Sequence, residues 1–316
     1  MARAKTNISA MFGAAKTKTF IGLPDAKLGG KIDARAVVFG APCASPYWPV
    51  GAYCKGGPKA IRAGIAGYSS NLHHIDFDLG GPILGEKGAR AVDCGDLGYD
   101  AKKPAQNRTR IRDATARVLD AGAVPIVLGG DDSIPIPMFQ AYDGRGRYTI
   151  LQIDAHIDWR DEVRGERWGL SSTMRRASEM GHIERIVQVG RRAIGSARRQ
   201  DVKDADTWGV TFISARDVHA KGIAPVLAAI PRRSKVILSF DFDGLDPTVM
   251  PAVIGPAPGG LTYWQAIEIM HGVGKKARLA GAAFVEFVPE RDIGGIGALT
   301  AARLVVNAIG LAARQR

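Results

Sequence analysis

The stretch LQIDAHIDWR, Leu151–Arg160, ends an apolar run with two carboxylates and an imidazole at Asp154, His156 and Asp158. Residues two apart in an extended chain point to the same side. If the run is a strand, all three groups face one crevice. Asp and His also cap turns and helices, but three ligand-type groups crowded on one face repel one another unless a cation lies between them.

Two further stretches repeat the pattern. KVILSFDFDGLDP, Lys235–Pro247, is an apolar run delivering Asp241 and Asp243, followed by Asp246 and Pro247. IVLGGDDSIPIP, Ile126–Pro137, ends in Gly129, Gly130, Asp131, Asp132 and Ser133. Alone, the latter reads as a turn with Ser133 as the N-cap of the next helix, its glycines letting the backbone pass close to a neighbour. Three strand ends with the same chemistry shift the balance toward a shared site for divalent cations. A two-metal site is the economical reading, and its usual use is to generate hydroxide from a bridging water.

Short apolar runs alternate with helical patterns along all 316 residues. Strands are expected at Ala36–Gly40, Arg90–Cys94, Val124–Leu128, Thr149–Asp154, Arg185–Val189, Val210–Ile213, Lys235–Asp241 and Ala282–Phe287. Helices are expected at Pro58–Gly67, Asn107–Ala121, Ser133–Tyr142, Ser172–Met180, Ser196–Trp208, Ile223–Ala229, Thr262–Val273 and Gly297–Ala312. This alternation predicts an α/β fold, three layers α/β/α around a mostly parallel central sheet. In such sheets ligands sit beyond the carboxyl ends of the strands, where the acidic residues fall. No repeat or linker interrupts the pattern, so residues 21–316 are expected to form a single domain behind a basic N-terminal arm, residues 1–20.

Composition narrows the classes. Hydrophobic residues make up 46% and charged residues 23% of the chain, values of an ordinary globular protein. No run approaches the ~18 apolar residues of a membrane span, and the basic N-terminus lacks the apolar core of a secretory signal. Cys43, Cys54 and Cys94 are odd in number and lack CxxC spacing, which points to a reduced, cytoplasmic setting. The net charge of +12 is scattered in doublets such as Arg191–Arg192 and Arg232–Arg233. Without an aromatic-interleaved basic stripe it reads as a solvated surface, so neither nucleic acid nor membrane is an expected partner.

The motifs GGDDS, DAHID and SFDFDGLDP, in this order, resemble the ureohydrolase superfamily of arginases and agmatinases, whose hallmarks are GGDHS, DAHxD and SFDxDxxDP. The resemblance extends through GAPC…GAYCKGGPKAIR (Gly40–Arg62), DCGDLG (Asp93–Gly98), GGLT (Gly259–Thr262) and FVEFVPERD (Phe284–Asp292). It implies an arginase-like fold and a centre of two divalent ions, Mn2+ or Ni2+. Asp154, His156, Asp158, Asp241 and Asp243 match family ligands, and Asp158 also matches the residue that holds the bridging hydroxide. Glu286 matches the carboxylate that receives the substrate guanidinium. Its place at the end of an apolar strand leads us to expect it across the cleft, open to a ligand and unpaired by arginine. The implied reaction is attack of the metal-bridging hydroxide on a guanidinium carbon, releasing urea or a urea derivative and an amine. The implied partners are a small guanidino substrate (agmatine-like, a small alkylguanidine or a biguanide) and further subunits. The latter would form a homo-oligomer, trimer or hexamer, or a hetero-oligomer with a paralogous subunit.

Two departures stand out. Asp132 occupies the position of the histidine in GGDHS, which adds a negative charge to the ligand set and favours hard cations. Aligning WGLSSTMRRASEMG, Trp168–Gly181, with the family segment that carries an HG motif places Leu170 where a proton-shuttling histidine stands. Leucine cannot move protons. His182, His73 and His74 read as surface or capping residues. The substrate loop is Pro251–Pro256, PAVIGP. With Leu170, Trp168 and Trp159 it implies a less polar pocket, with Trp168 and Leu170 touching substrate, and argues against recognition of an arginine-like α-amino acid. The leading expectation is a metal-dependent amidinohydrolase, since no ligand position has become apolar. The competing one is a catalytically weak or silent structural subunit of a hetero-oligomeric ureohydrolase such as a metformin hydrolase, to which Asp132 and Leu170 would point.

Overall fold

The computed structural model describes residues 18–48, 50–65, 70–85 and 90–315. Residues 1–17 of the expected arm lie outside these, as do residues 66 and 67 at the end of the helix expected over Pro58–Gly67. Phe20 and Ile21 are already buried, and the Phe20 N–H donates to Asp93 at 2.8 Å, so the packed body includes them.

The strands are β1 (Ala36–Ala41), β2 (Ile75–Asp76), β3 (Gly81–Pro82), β4 (Ala91–Asp96), β5 (Val124–Gly129), β6 (Tyr148–Ile153), β7 (Ile183–Arg191), β8 (Thr211–Ser214), β9 (Lys235–Asp241) and β10 (Arg278–Val285). Between them run α1 (Gly57–Ala63), α2 (Pro104–Asp120), α3 (Pro135–Gln140), α4 (Thr173–Ser178), α5 (Arg199–Trp208), α6 (Ala215–Lys221), α7 (Ala224–Ala229), α8 (Tyr263–Lys276) and α9 (Ile296–Arg314). Eight strands form one sheet in the order β4-β1-β5-β10-β9-β6-β7-β8, every neighbouring pair parallel. β2 and β3 make a separate antiparallel ribbon.

Strand residues alternate between two cores, as a period of two requires. Val38, Ile126, Leu238 and Phe284 join Ile61 of α1, Val218 of α6, Val226 of α7 and the apolar faces of α8 and α9. Val37, Val127, Ile237 and Val285 join Ile111 of α2, Phe139 of α3, Met174 of α4 and Ala205 of α5. The result is the expected three-layer α/β/α arrangement. α9 is long and apolar enough in composition to cross a membrane, but 72% of its apolar window is buried inside the protein, which marks it as a core helix.

Several elements depart from the expected boundaries. α6 was not expected, because its short run carries little apolar periodicity. A reciprocal cap builds it: the Asp217 N–H donates to Ser214 Oγ at 3.0 Å while the Asp217 carboxylate accepts from the Ser214 N–H. β10 begins at Arg278, earlier than Ala282, because Leu-Ala-Gly-Ala-Ala lacks the β-branched signal and is held by its ladder to β9. Ser133 does not cap α3, which starts at Pro135 with Ile134 at its N-cap. Its hydroxyl instead donates to Asp131 at 2.6 Å and accepts from the Ser45 N–H at 2.9 Å.

Gly130 shows how tightly the strand end is wedged. A Cβ there would lie 1.9 Å from the Pro42 carbonyl oxygen, a backbone atom that cannot step aside. Gly130→Ala should therefore destabilise the protein by roughly 2–3 kcal/mol, read as a lower midpoint in urea unfolding with an unchanged slope.

Candidate metal and substrate centre

Four adjacent strands, β5, β10, β9 and β6, each end in acidic residues at the same edge of the sheet. β5 runs into Asp131 and Asp132, β10 into Glu286, β9 into Asp241 and Asp243, and β6 into Asp154, His156 and Asp158. Parallel pairing forces this convergence, because all carboxyl ends point one way. All the carboxylates are nearly out of solvent: Asp132 is 2% exposed, Asp154 2%, Asp158 8%, and Asp241, Asp243 and Glu286 4% each.

Their ligand atoms fall into two overlapping groups. Asp154, His156 and Asp243 form one, and Asp132, Asp154 and Asp158 the other, each with one atom per residue within 4.8 Å of the rest. Asp154 belongs to both. Asp241 is in neither group, but lies against them, its Oδ1 accepting the Asp243 N–H at 2.7 Å. Asp243 accepts the Ala155 N–H at 3.0 Å and faces His156 Nδ1 at 3.0 Å.

Charge crowding shifts the acidities of these groups. Burial, then neighbouring carboxylates, push Asp132, Asp154, Asp158 and Asp241 well above the usual carboxylate range. Burial followed by Asp131 pushes Glu286 up to about 8. His156 rises to about 9 through its hydrogen bond to Asp243. Asp243 goes down: burial raises it, but the hydrogen bond and charge of His156 outweigh burial.

Asp132 has both carboxylate oxygens buried with no hydrogen-bond partner among the described residues. Such a group costs on the order of several kcal/mol if ionised. Its side chain faces Asp154 and Asp158 and does not cap α3. Carboxylates with one imidazole make a hard donor set, suited to Mn2+ and compatible with Ni2+. The residues present therefore fit the divalent pair that the motifs imply.

Two site residues adopt left-handed backbone conformations, Asp158 at φ 44° and Glu286 at φ 70°. Non-glycine residues held there carry strain that surrounding structure must enforce. The Asp158 carbonyl is fixed by the N–H groups of Met174 and Arg175 at 3.1 and 3.2 Å, and the Glu286 N–H by the Gly130 carbonyl at 2.7 Å.

Glu286 lies beside the cluster, its carboxylate against the Asp132 N–H, and no arginine pairs with it among the described residues. Contrary to the expectation from sequence, its carboxylate is not open. It accepts from the Tyr53 hydroxyl at 2.8 and 2.7 Å, from the Asp132 N–H at 2.9 Å, and faces the Cys54 thiol at 3.9 Å. Tyr53 is 233 residues away in sequence, and nothing local marks it.

Sequence reasoning also passed over Gln152. Its Nε2 donates to Asp154 at 2.6 Å and Asp158 at 2.7 Å, and Gln188 Nε2 donates to its Oε1. A glutamine inside an apolar strand, two residues before Asp154, was the available signal.

The residues assigned to an apolar pocket stand in different settings. A cleft of about 320 Å³ beside His156 and Asp158 is lined also by Arg191, Ala193, Ser196 and Ser214. Trp168 lies under the Arg108 guanidinium, 5.3 Å from its ring centre. Leu170, half-buried, opens a short 3-10 turn, Leu170–Ser172. Trp159 is a core residue, 2% exposed and packed near Trp208, because its ring sits on the helix side of the strand end. His182 is structural, its Nε2 2.9 Å from the Phe139 carbonyl.

The arginase family model matches residues 34–310, and the chain belongs to the arginase family. Within it the chain is an agmatinase-like ureohydrolase, a metal-dependent amidinohydrolase that cleaves guanidino compounds. It is 34% identical over 238 residues to an N(1)-aminopropylagmatine ureohydrolase of Thermus thermophilus, covering 73% of this chain and 78% of that one. It is 31% identical over 258 residues to the guanidinobutyrase of Pseudomonas aeruginosa, covering 79% and 77%. The crystal structure of the agmatine ureohydrolase of Thermoplasma volcanium superposes with a TM-score of 0.76 at 28% identity, covering 97% of each chain.

The titration pattern fixes a pH dependence. Between the ordinary carboxylate range and the raised values, the folded chain binds more protons than the unfolded one, so stability falls as pH rises. His156 acts in the same sense: its contribution is full below the ordinary 6.5 and is lost as pH rises through about 9. Asp243 opposes both, but only at acid pH. Protein stripped with EDTA should therefore lose thermal stability from pH 6.5 to 9, while manganese-loaded protein shows a flat profile over that range, because bound cations replace the protons.

Proposed function

We propose that the centre hydrolyses a guanidino compound without an α-amino-acid head group, agmatine-like or a small alkylguanidine, with a biguanide as the outer limit. The observation that carries the reading is the buried carboxylate of Asp132, without a hydrogen-bond partner among the described residues and facing Asp154 and Asp158, which a divalent cation would satisfy. Asp132, Asp154, His156, Asp158, Asp241 and Asp243 would hold two such ions, manganese or nickel. When bound, the pair supplies Lewis acidity and makes a water nucleophile available near neutral pH.

Glu286 fixes the plane of the guanidinium, a resonance-stabilised and weakly electrophilic cation that reacts only when well oriented. Asp158 takes the proton of the attacking water at its carboxylate. The water oxygen bonds to the guanidinium carbon, the carbon–nitrogen bond to the leaving amine breaks, and urea or a substituted urea is formed. With leucine at position 170, the proton held by Asp158 is the one available to the departing amine. The similarity to an aminopropylagmatine ureohydrolase and a guanidinobutyrase and the apolar segment Pro251–Pro256 support this substrate class. We further place the enzyme in the cytoplasm and expect it to work as an oligomer of like or paralogous subunits.

Protein grown with manganese or nickel should hold two ions per chain, falling to about one in Asp132→Ala, as measured by plasma emission spectrometry. Urea release should be found with agmatine, methylguanidine or 4-guanidinobutyrate and not with arginine. Glu286→Gln should lower kcat/KM by at least about 100-fold. No bound metal after growth in either ion would overturn the assignment and favour a silent subunit.

A further inference from the structure

Tyr53 sits in the turn that leads from β1 into α1. Gly51, at φ 72°, precedes it, and the Gly57 N–H closes on the Cys54 carbonyl at 2.8 Å after it. The tyrosine hydroxyl lies 2.8 Å from Oε1 and 2.7 Å from Oε2 of Glu286. Near-equal distances put it on the bisector of the carboxylate, in the mouth of the fork. From that position a planar guanidinium makes two parallel N–H···O bonds. The remaining acceptor positions are partly used, by the Asp132 N–H on Oε1 and the Cys54 thiol beside Oε2. A carboxylate offers about four lone-pair sites. A guanidinium cannot take the fork while Tyr53 holds it.

We propose that Tyr53 is a displaceable cap on Glu286, whose hydroxyl the guanidinium of the substrate must replace to form its bidentate pair. The proposal rests on the reading of Glu286 as the guanidinium acceptor. The exchange gives up a bond from a neutral donor and gains two charge-assisted ones, so it favours the guanidinium. It also lowers the apparent affinity, because only the fraction of protein with the fork uncovered can bind.

The opposite role, a tyrosine that stays bonded and orients Glu286 during turnover, is not required by the geometry. The left-handed φ of Glu286 and its N–H bond to the Gly130 carbonyl at 2.7 Å already hold its backbone, and the Asp132 N–H holds Oε1. Tyr53, by contrast, stands on a turn outside any helix or strand, where a swing costs no ladder bonds.

The test is calorimetric titration of manganese-loaded full-length protein with guanidinium chloride and, separately, with agmatine. Tyr53→Phe keeps the ring and removes the hydroxyl, and should bind both probes roughly tenfold tighter. Tyr53→Leu should move affinity in the same direction, so the test survives a folding defect in either variant. In steady-state assays Tyr53→Phe should lower KM while kcat changes less than about twofold. Equal or weaker binding in both Tyr53 variants, with Glu286→Gln still abolishing binding, overturns the cap and leaves Glu286 in place as acceptor. Binding by Glu286→Gln as tight as the parent's overturns both.

Discussion

Mutual repulsion among buried carboxylates is the constraint on which this molecule turns. Asp132, Asp154, Asp158, Asp241 and Asp243 approach one another in a crevice with almost no solvent, where like charges cannot all ionise together. His156 offsets one of them and Gln152 donates to two, but Asp132 has no such relief among the described residues. A fold that keeps this arrangement carries a standing cost, and bound cations are the simplest agent that turns it into a gain. Rigid framing is then a necessity. A yielding scaffold would relax by moving the acids apart.

The framing comes from sheet order. β5 and β6 are consecutive in sequence yet lie apart in the sheet, with β10 and β9 inserted between them. The chain leaves one half of the sheet and returns later to fill the centre. That detour brings the ends of four strands side by side, although their acidic residues are scattered from Asp131 to Glu286. Wide core packing on both faces fixes the strands, while Gly130 permits the close backbone approach that lets the loop after β5 reach the cluster.

Much of this was legible in the chain itself, for specific reasons. The acids at 154, 158, 241 and 243 follow apolar runs at period-two spacing, so strand, face and chemistry are read together. Alternation of strand and helix gave the layers. What escaped lacks a local signature. Tyr53 meets Glu286 only because α1 docks where β5 and β10 end, a relation no sequence window contains. α6 depends on a two-residue cap, and β10 starts in small residues that carry little strand preference. The pocket assignment of Trp159 failed for another reason: hydrophobicity alone does not distinguish a side chain that lines a cleft from one that fills a core.

Asp132 presents its two halves to different tasks. Its side chain enters the acidic cluster, and its main-chain N–H holds Oε1 of Glu286. In the proposed enzyme, an adjustment of this residue on cation uptake would pass through a single peptide unit to the Glu286 carboxylate. Thermodynamic linkage then makes the effect mutual: whatever factor the ions add to the affinity for a guanidinium, a bound guanidinium adds to the retention of the ions. An enzyme built this way would hold its metals most tightly while at work and release them most readily when starved of substrate.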